Sequence, residues 1–321
     1  MRAMSEQAIE LSIVVPVFRS AGILPELARQ VADAMRQANM DGRYELVLVN
    51  DASPDDSWNV IRNLATSHTF VRGFELARNF GQHSATMAGL HQARGEIVVI
   101  MDDDLQHPPG SIMQLVDAIR AGHDVCYAHY IGRQHALWKR LGSRFNDAVA
   151  TFLLKKPPGL YLSSYKAMHR RIVHQILHYD GPYAYVDGLI LDVTRRITAV
   201  RIEHRVRHAG EGNYGLRRSV SLWLRMATSF SVVPLRIASV AGMAIACISA
   251  AMAIIVVVDK LLHPEMPAGW ASLITVVLFM GGVQLLCLGI IGEYLGRAYL
   301  KLNRKPQFVL RESTDATEDS P

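Results

Sequence analysis

Two stretches of 22 residues carry no charge at all: Ile237–Val258 ("IASVAGMAIACISAAMAIIVVV") and Trp270–Ile291 ("WASLITVVLFMGGVQLLCLGII"). A bilayer core of roughly 30 Å takes about 20 helical residues, so each run is long enough to span it. This localised apolarity raises the mean hydropathy to +0.13 although 20% of residues are charged. The link between the runs, "DKLLHPEMPAG", is 11 residues long, which predicts a helical hairpin with both flanks on one side. Arg217, Arg218, Arg225 and Arg236 precede the hairpin, and Arg297, Lys301, Arg304, Lys305 and Arg311 follow it, whereas the link holds Lys260 alone among Lys and Arg. The positive-inside rule therefore expects both termini and the rest of the chain in the cytoplasm, at an inner membrane. The start "MRAMSEQAIE" has no apolar signal-peptide core, and three cysteines give no disulfide framework. Net charge is +5, with much of the basic excess beside the hairpin. That suits anionic headgroups and argues against a nucleic-acid partner.

The first 130 residues alternate short apolar runs with amphipathic patterns. Strands are expected at Leu11–Phe18, Tyr44–Asn50, Val71–Ala77 and Glu96–Met101. Between them, Leu24, Leu27, Val31, Met35 and Ala38 repeat at helical spacing, Ser53-Pro54 signals a second helix, and "GQHSATMAGLHQA" reads as a helix of small residues. Ile112, Leu115, Val116 and Ile119 mark another, closed by Gly122. Such alternation predicts an α/β fold with a mostly parallel sheet and helices on both faces. Further on, "WKRLGSRFNDAVATFLL" and "YKAMHRRIVHQIL" read as helices and "ITAVRIEHRVR" as a strand. "RRSVSLWLRMATSFSVVP" has the composition of an interfacial amphipathic helix, and the tail "RESTDATEDSP" that of a disordered segment.

Ligands of open parallel sheets bind beyond the carboxyl ends of the strands. Two acidic features fall there: Asp51, and the triplet Asp102-Asp103-Asp104. Adjacent carboxylates repel, and a hard divalent cation removes that penalty. Mg²⁺ or Mn²⁺ held by one or two carboxylates plus substrate phosphates would also neutralise a pyrophosphate leaving group. Asp102 and Asp104, two apart, can face the same way, leaving Asp103 free to turn elsewhere. Arg78, Asn79 and Gly81 lie between the third strand and the next helix, a layout suited to phosphates or a base. GxGxxG and GxxxxGK[ST] are both missing, which disfavours a dinucleotide cofactor and a P-loop.

"VVPVF", "VNDASPDDS", "LARNFGQHSATMAGL" and "MDDDLQHPP" together resemble the motif series of the family-2 GT-A glycosyltransferases. Within that family they resemble the polyprenyl-phosphate branch, which includes dolichol-phosphate mannose synthase, the bactoprenol glucosyltransferases and the undecaprenyl-phosphate aminoarabinose transferases. "GIIGEYLGRAY" and "RKPQFV" extend the likeness to nearly the whole chain. The resemblance implies a GT-A (Rossmann-like) domain and inverting transfer of a sugar from a nucleotide sugar, UDP-linked, to undecaprenyl or another polyprenyl phosphate. By position it puts Pro16, Phe18, Asp51, Arg78, Asn79 and Gln82 around the nucleoside, with Asp51 on the base. Asp102 falls on ribose or metal, Asp104 on the metal beside the pyrophosphate, and Gln106 in the metal shell. Lys139, Arg140, Ser143 and Arg144 resemble the cluster that receives the acceptor phosphate, and relatives suggest a homotetramer. The implied layout is a GT-A domain over 1–215, an interfacial helix over 216–235, a hairpin over 236–292 and a cytoplasmic tail over 293–321.

Three departures stand out. Arg19 and Ser20 replace the acidic pattern that usually follows the first motif. Ser164, in "SSYKAMHRR", stands where many relatives carry a candidate catalytic Asp, which leaves either Asp103 as the base or a reaction that needs none. "GEGNY" (Gly210–Tyr214) replaces the usual Ser-Lys pair with Gly212-Asn213. Two other readings are a non-catalytic membrane scaffold built on a decayed transferase and a processive polysaccharide synthase. The intact Asp51, Asp102 and Asp104 weigh against the first, and the missing QxxRW against the second.

Overall fold

The computed structural model describes residues 8–131, 156–157, 159–181, 184–203, 233–262, 269–303 and 305–315. The chain divides into two compact units, one of residues 1–213 with 304–321 and one of residues 214–303.

The first unit is built on one eight-stranded sheet. Its strands are β1 (Leu11–Val17), β2 (Tyr44–Asn50), β3 (Val71–Leu76), β4 (Ile97–Ile100), β5 (Val125–Ile131), β6 (Lys166–His169), β7 (Ile197–Glu203) and β8 (Leu310–Ser313). Their spatial order is β7-β5-β6-β4-β1-β2-β3-β8. Strands β4, β1, β2 and β3 run parallel, as do β5 and β7, whereas β6 is antiparallel to both neighbours and β8 is antiparallel to β3. The expectation of a mostly parallel sheet holds, with antiparallel exceptions.

Helices cover both faces. Leu11, Ile13, Val15 and Val17 of β1 join one core with Leu24, Leu27, Val31 and Met35 of α1 (Leu24–Gln37), Ile61 of α2 (Ser57–Ser67) and Leu115, Val116 and Ile119 of α4 (Ile112–Arg120). Alternate residues face the other way, as a period-2 strand requires. There α3 (Gln82–Gln92) lies close on the sheet because Ala85, Ala88 and Gly89 are small. A Cβ on Gly89 would come within 2.3 Å of Val14 Cγ1 and 3.1 Å of Val49 Cγ2. Two further helices, α5 (Arg170–Leu177) and α6 (Val186–Val193), follow β6.

Several expectations needed correction. "YKAMHRRIVHQIL" is not one helix: Lys166–His169 forms β6 before α5 starts at Arg170. Its helical periodicity lost to tertiary pairing, because these four residues fill the slot between β4 and β5. Helix α2 starts at Ser57, not at Ser53-Pro54, because Ser53 and Asp55 are used in a loop that faces the end of β1. The tail is not wholly disordered: Arg311 to Ser313 lie in β8, and Arg72 pairs with Asp315. Strand β5 and helix α6 had no counterpart in the sequence reading. The predicted helix at 138–154 and most of the interfacial helix at 217–234 fall outside the described residues, as do Gly210–Tyr214.

The second unit contains two long helices, α7 (Val233–Leu262) and α8 (Trp270–Leu302), which contact each other. They run beyond the charge-free stretches at both outer ends. Within α8, Phe279–Leu302 is long and apolar enough to cross a membrane. Beyond it the chain rejoins the first unit, where Gln307 Nε2 donates to the Tyr179 carbonyl.

Candidate active site

The parallel strands β1, β2 and β4 end side by side, and the acidic residues follow directly. The loop after β2 ties down the loop after β1: Arg19 N donates to Ser53 Oγ (2.7 Å), Ser20 N to Ser57 Oγ (3.2 Å) and Ala21 N to Asp55 Oδ2 (3.1 Å). Asp55 also accepts from the hydroxyls of Ser53 (2.5 Å) and Ser57 (2.6 Å). Burial would raise its pKa, but these hydrogen bonds prevail and bring it down to about 2. Arg19, Ala52 and Leu105 all have positive φ (60°, 47° and 58°), one in each of the turns after β1, β2 and β4. Left-handed non-glycine residues clustered in this way mark backbone held by its surroundings.

Asp51 is 3% exposed. Its carboxylate accepts from the amides of Phe80 (2.7 Å) and Gly81 (2.8 Å), while Asn79 Nδ2 donates to its carbonyl (3.3 Å). Burial raises the Asp51 pKa against the pull of those two amides. The chain from β3 into α3 therefore closes around this acid, with Gly81 (φ 91°) making the turn. Arg78 lies with its guanidinium 4.2 Å above the Phe80 ring. Phe18, 42% exposed, stands at the mouth beneath the Arg19 guanidinium, and Pro16 is buried within β1.

The three acids after β4 have different surroundings. Asp102 Oδ1 accepts from Gln82 Nε2 (2.6 Å) and its Oδ2 from Ser164 Oγ (2.6 Å). Asp103 turns towards β1, where its Oδ2 accepts from Ser20 Oγ (2.6 Å) and Phe18 N (3.1 Å). Burial, and less strongly the charges of Asp102 and Asp104, push the Asp103 carboxyl up against those two donors. Asp104 Oδ1 accepts the Gln106 amide (3.1 Å). A serine at position 20 thus supplies Asp103 with a donor where an acid would repel it.

His107 and Ser164 organise this turn. His107 is 5% exposed and its ring stacks on Tyr165 (5.0 Å between centroids) and Tyr130 (6.0 Å). Its Nδ1 accepts from the Asp102 amide (2.8 Å), an arrangement that assigns the neutral ring's proton to Nε2. Ser164 reaches Asp102 through the antiparallel register, in which Ile100 faces Lys166. Two residues further along each chain, Asp102 faces Ser164. Reading β6 as helix hid this contact. His107 was visible only as part of "MDDDLQHPP".

Among the described residues no three His, Cys, Asp or Glu side chains converge as a metal cage. The oxygen-only donors of Asp102 and Asp104 fit a hard cation that takes its other ligands from substrate phosphates. Lys139, Arg140, Ser143 and Arg144 lie outside the described residues.

A sheet whose β1, β2 and β4 ends gather a buried Asp and a tri-aspartate turn is the frame of a GT-A-type nucleotide-sugar site. The chain belongs to the glycosyl transferase family 2, whose model matches residues 12–178, and a GtrB C-terminal hairpin model matches residues 233–298. It is 31% identical over 317 residues to undecaprenyl-phosphate 4-deoxy-4-formamido-L-arabinose transferase of Yersinia enterocolitica, covering 98% of this chain and 96% of that one. The enzyme of the same name from Pseudomonas savastanoi pv. phaseolicola is 33% identical over 325 residues, 97% and 94% of the two chains. Among solved structures, the mannosyltransferase PcManGT of Pyrobaculum calidifontis, in complex with GDP-Man and Mn²⁺, aligns with 91% of this chain and 87% of its own. That alignment has 16% identity and a TM-score of 0.48.

Proposed function

We propose that this glycosyltransferase moves a sugar from a UDP-linked donor to undecaprenyl phosphate, with inversion at the anomeric carbon, at the cytoplasmic face of the inner membrane. The observation that carries this is the gathering of Asp51, Asp102 and Asp104 at the β2 and β4 ends, in a chain that also contains a long apolar helix pair. Asp51, Arg78, Asn79, Pro16 and Phe18 hold the nucleoside. Asp102, Asp104 and Gln106 would hold Mg²⁺ or Mn²⁺, which when bound supplies neutralisation of the pyrophosphate leaving group. Gln82 and Ser164 keep the Asp102 carboxylate aimed.

An acceptor phosphate is already a nucleophile at neutral pH, so it needs positioning and charge screening more than a general base. That removes the need for an Asp at position 164 and leaves Asp103 to hold the Phe18–Ser20 loop. Lys139, Arg140, Ser143 and Arg144 receive the acceptor phosphate, for which the planar donor fork of Arg is suited. The hairpin, with two spans and both termini cytoplasmic, keeps the site at the bilayer because the lipid cannot leave it. A homotetramer is the proposed assembly.

The test is purified protein with undecaprenyl phosphate, Mn²⁺ or Mg²⁺, and a panel of UDP-sugars that includes UDP-4-deoxy-4-formamido-L-arabinose. A lipid-linked product with one preferred donor is expected. No product with any donor, and no metal-dependent nucleotide binding, would leave the scaffold reading in its place.

A further inference from the structure

The sheet order lays the site out along one line. Asp51 follows β2, the tri-aspartate turn follows β4, and Ser164 precedes β6, in the lateral sequence β2-β1-β4-β6. A nucleotide sugar with its nucleoside at Asp51 and its pyrophosphate at Asp102 and Asp104 must extend its sugar towards β6 and the start of α6. The polar side chains on that side are largely committed. The Ser164 hydroxyl donates its hydrogen bond to Asp102. Lys166 and Asp187, at 3% and 7% exposure, form a buried ion pair, and Tyr127 Oη donates to the same Asp187 oxygen (2.9 Å).

His83, among the described residues, is an exception. It follows Gln82, the residue that grips Asp102, and its ring meets the Tyr185 ring edge-on at 5.1 Å. Asp187, Lys166 and Asp102 are the charged groups whose fields reach it. Among the described residues the imidazole forms no hydrogen bond. It is half-buried. Burial, foremost, and the Lys166 charge hold its pKa below the usual histidine value against the two carboxylates. A neutral imidazole offers one donor and one acceptor. Among the described residues neither has a hydrogen-bond partner, and the ring lies against Tyr185.

We infer that His83 is a specificity-determining residue that hydrogen-bonds the transferred sugar, with the Tyr185 ring packing beside that sugar. This rests on the nucleotide-sugar reading above. The ligand class is a neutral glycosyl group bearing a hydroxyl or acylamino substituent, since a neutral imidazole pairs with such groups without a charge cost. A site group matched to a substrate hydroxyl or amide discriminates strongly, because analogues lacking it leave the polar partner unpaired.

The experiment compares wild type, His83→Ala and His83→Asn in the full-length protein. Affinity for UDP with Mn²⁺ is measured by calorimetry, and kcat and KM for each UDP-sugar the wild type turns over. Expected for His83→Ala are UDP affinity within twofold of wild type, a loss of at least tenfold in kcat/KM for the preferred donor, and a flattened ranking of donors. His83→Asn, which keeps a donor and an acceptor, should recover part of the loss. Unchanged kcat/KM and ranking in His83→Ala would overturn the inference while leaving the transferase reading intact. An equal loss of UDP affinity would also overturn it, because His83 would then serve the nucleotide or the fold. A wild type that turns over no donor defeats both readings together.

Discussion

Replacing Ser164 with alanine probes one of the two side-chain donors that hold Asp102. The Ser164 hydroxyl donates to Asp102 Oδ2 at 2.6 Å, and Gln82 holds the other oxygen at 2.6 Å. Hydrogen bonds to charged groups contribute about 1.5–3 kcal/mol. If the hydroxyl only orients Asp102, Ser164→Ala should cost about that much, or roughly 10- to 150-fold in kcat/KM. The fold should persist, since the β4–β6 pairing is backbone-mediated. The assay is initial-rate transfer at saturating acceptor and Mn²⁺ across donor concentration. A loss of about 10⁴-fold or more would mean that Ser164, or a water it holds, takes part in proton transfer, and would refute an orienting role. An unchanged rate would refute it from the other side, by showing that the aim of Asp102 does not matter. Ser164→Asp sharpens the test. A second carboxylate about 4 Å from Asp102 repels it by about 4 kcal/mol at an effective dielectric of about 20. That variant should melt lower without metal than wild type, and Mn²⁺ should raise its Tm by more.

Three further outcomes are expected. Asp104→Asn should abolish metal-dependent turnover with an unchanged circular-dichroism spectrum, and wild-type rates in the variant would remove Asp104 from the metal site. Arg72→Met should lower stability by about 3–5 kcal/mol, because it leaves the 3%-exposed Glu45 without its ion-pair partner and releases Asp315 beside β8; a denaturant melt that moves by less than about 1 kcal/mol would show that the tail does not brace the sheet edge. Asp55 has a folded pKa of about 2, below the unfolded carboxylate value, so its contribution is present above about pH 4 and is lost as pH falls through about 2. The acid limb of the wild-type stability profile should therefore be steeper than that of Asp55→Asn between those values, and superimposable limbs would contradict the assignment.

Much of the fold was legible before any coordinates. Strand β4 is an uninterrupted apolar run, and β1 and β2 are mostly apolar, because a parallel sheet covered on both faces buries both sides of each strand; β2 was bounded at Tyr44–Asn50 as observed. Helix α1 showed its buried stripe at Leu24, Leu27, Val31 and Met35. The acids Asp51 and Asp102–Asp104 were found because a strand-end position follows from local pattern alone. Strand β6 was not found, since "KAMH" has no strand periodicity of its own and is extended only because β4 and β5 accept it on both sides. The same non-local pairing explains β8, a polar tail segment held by β3 and by Arg72.

The sequence by itself determined the class of chain: an α/β unit with acids where strands end, followed by an apolar helix pair. These are consequences of composition and of spacing within short windows. Only the tertiary structure decided what each acid touches. Asp102, Asp103 and Asp104 are neighbours along the chain, but their roles diverge because their partners come from elsewhere: Gln82 and Ser164 for the first, Phe18 and Ser20 for the second, and the Gln106 amide for the third. The contacts that divide the first two span 20 to 85 residues, and no local pattern encodes a partner at that distance. The role proposed for His83, which makes no hydrogen bond among the described residues, rests on the same kind of non-local placement, beside Tyr185.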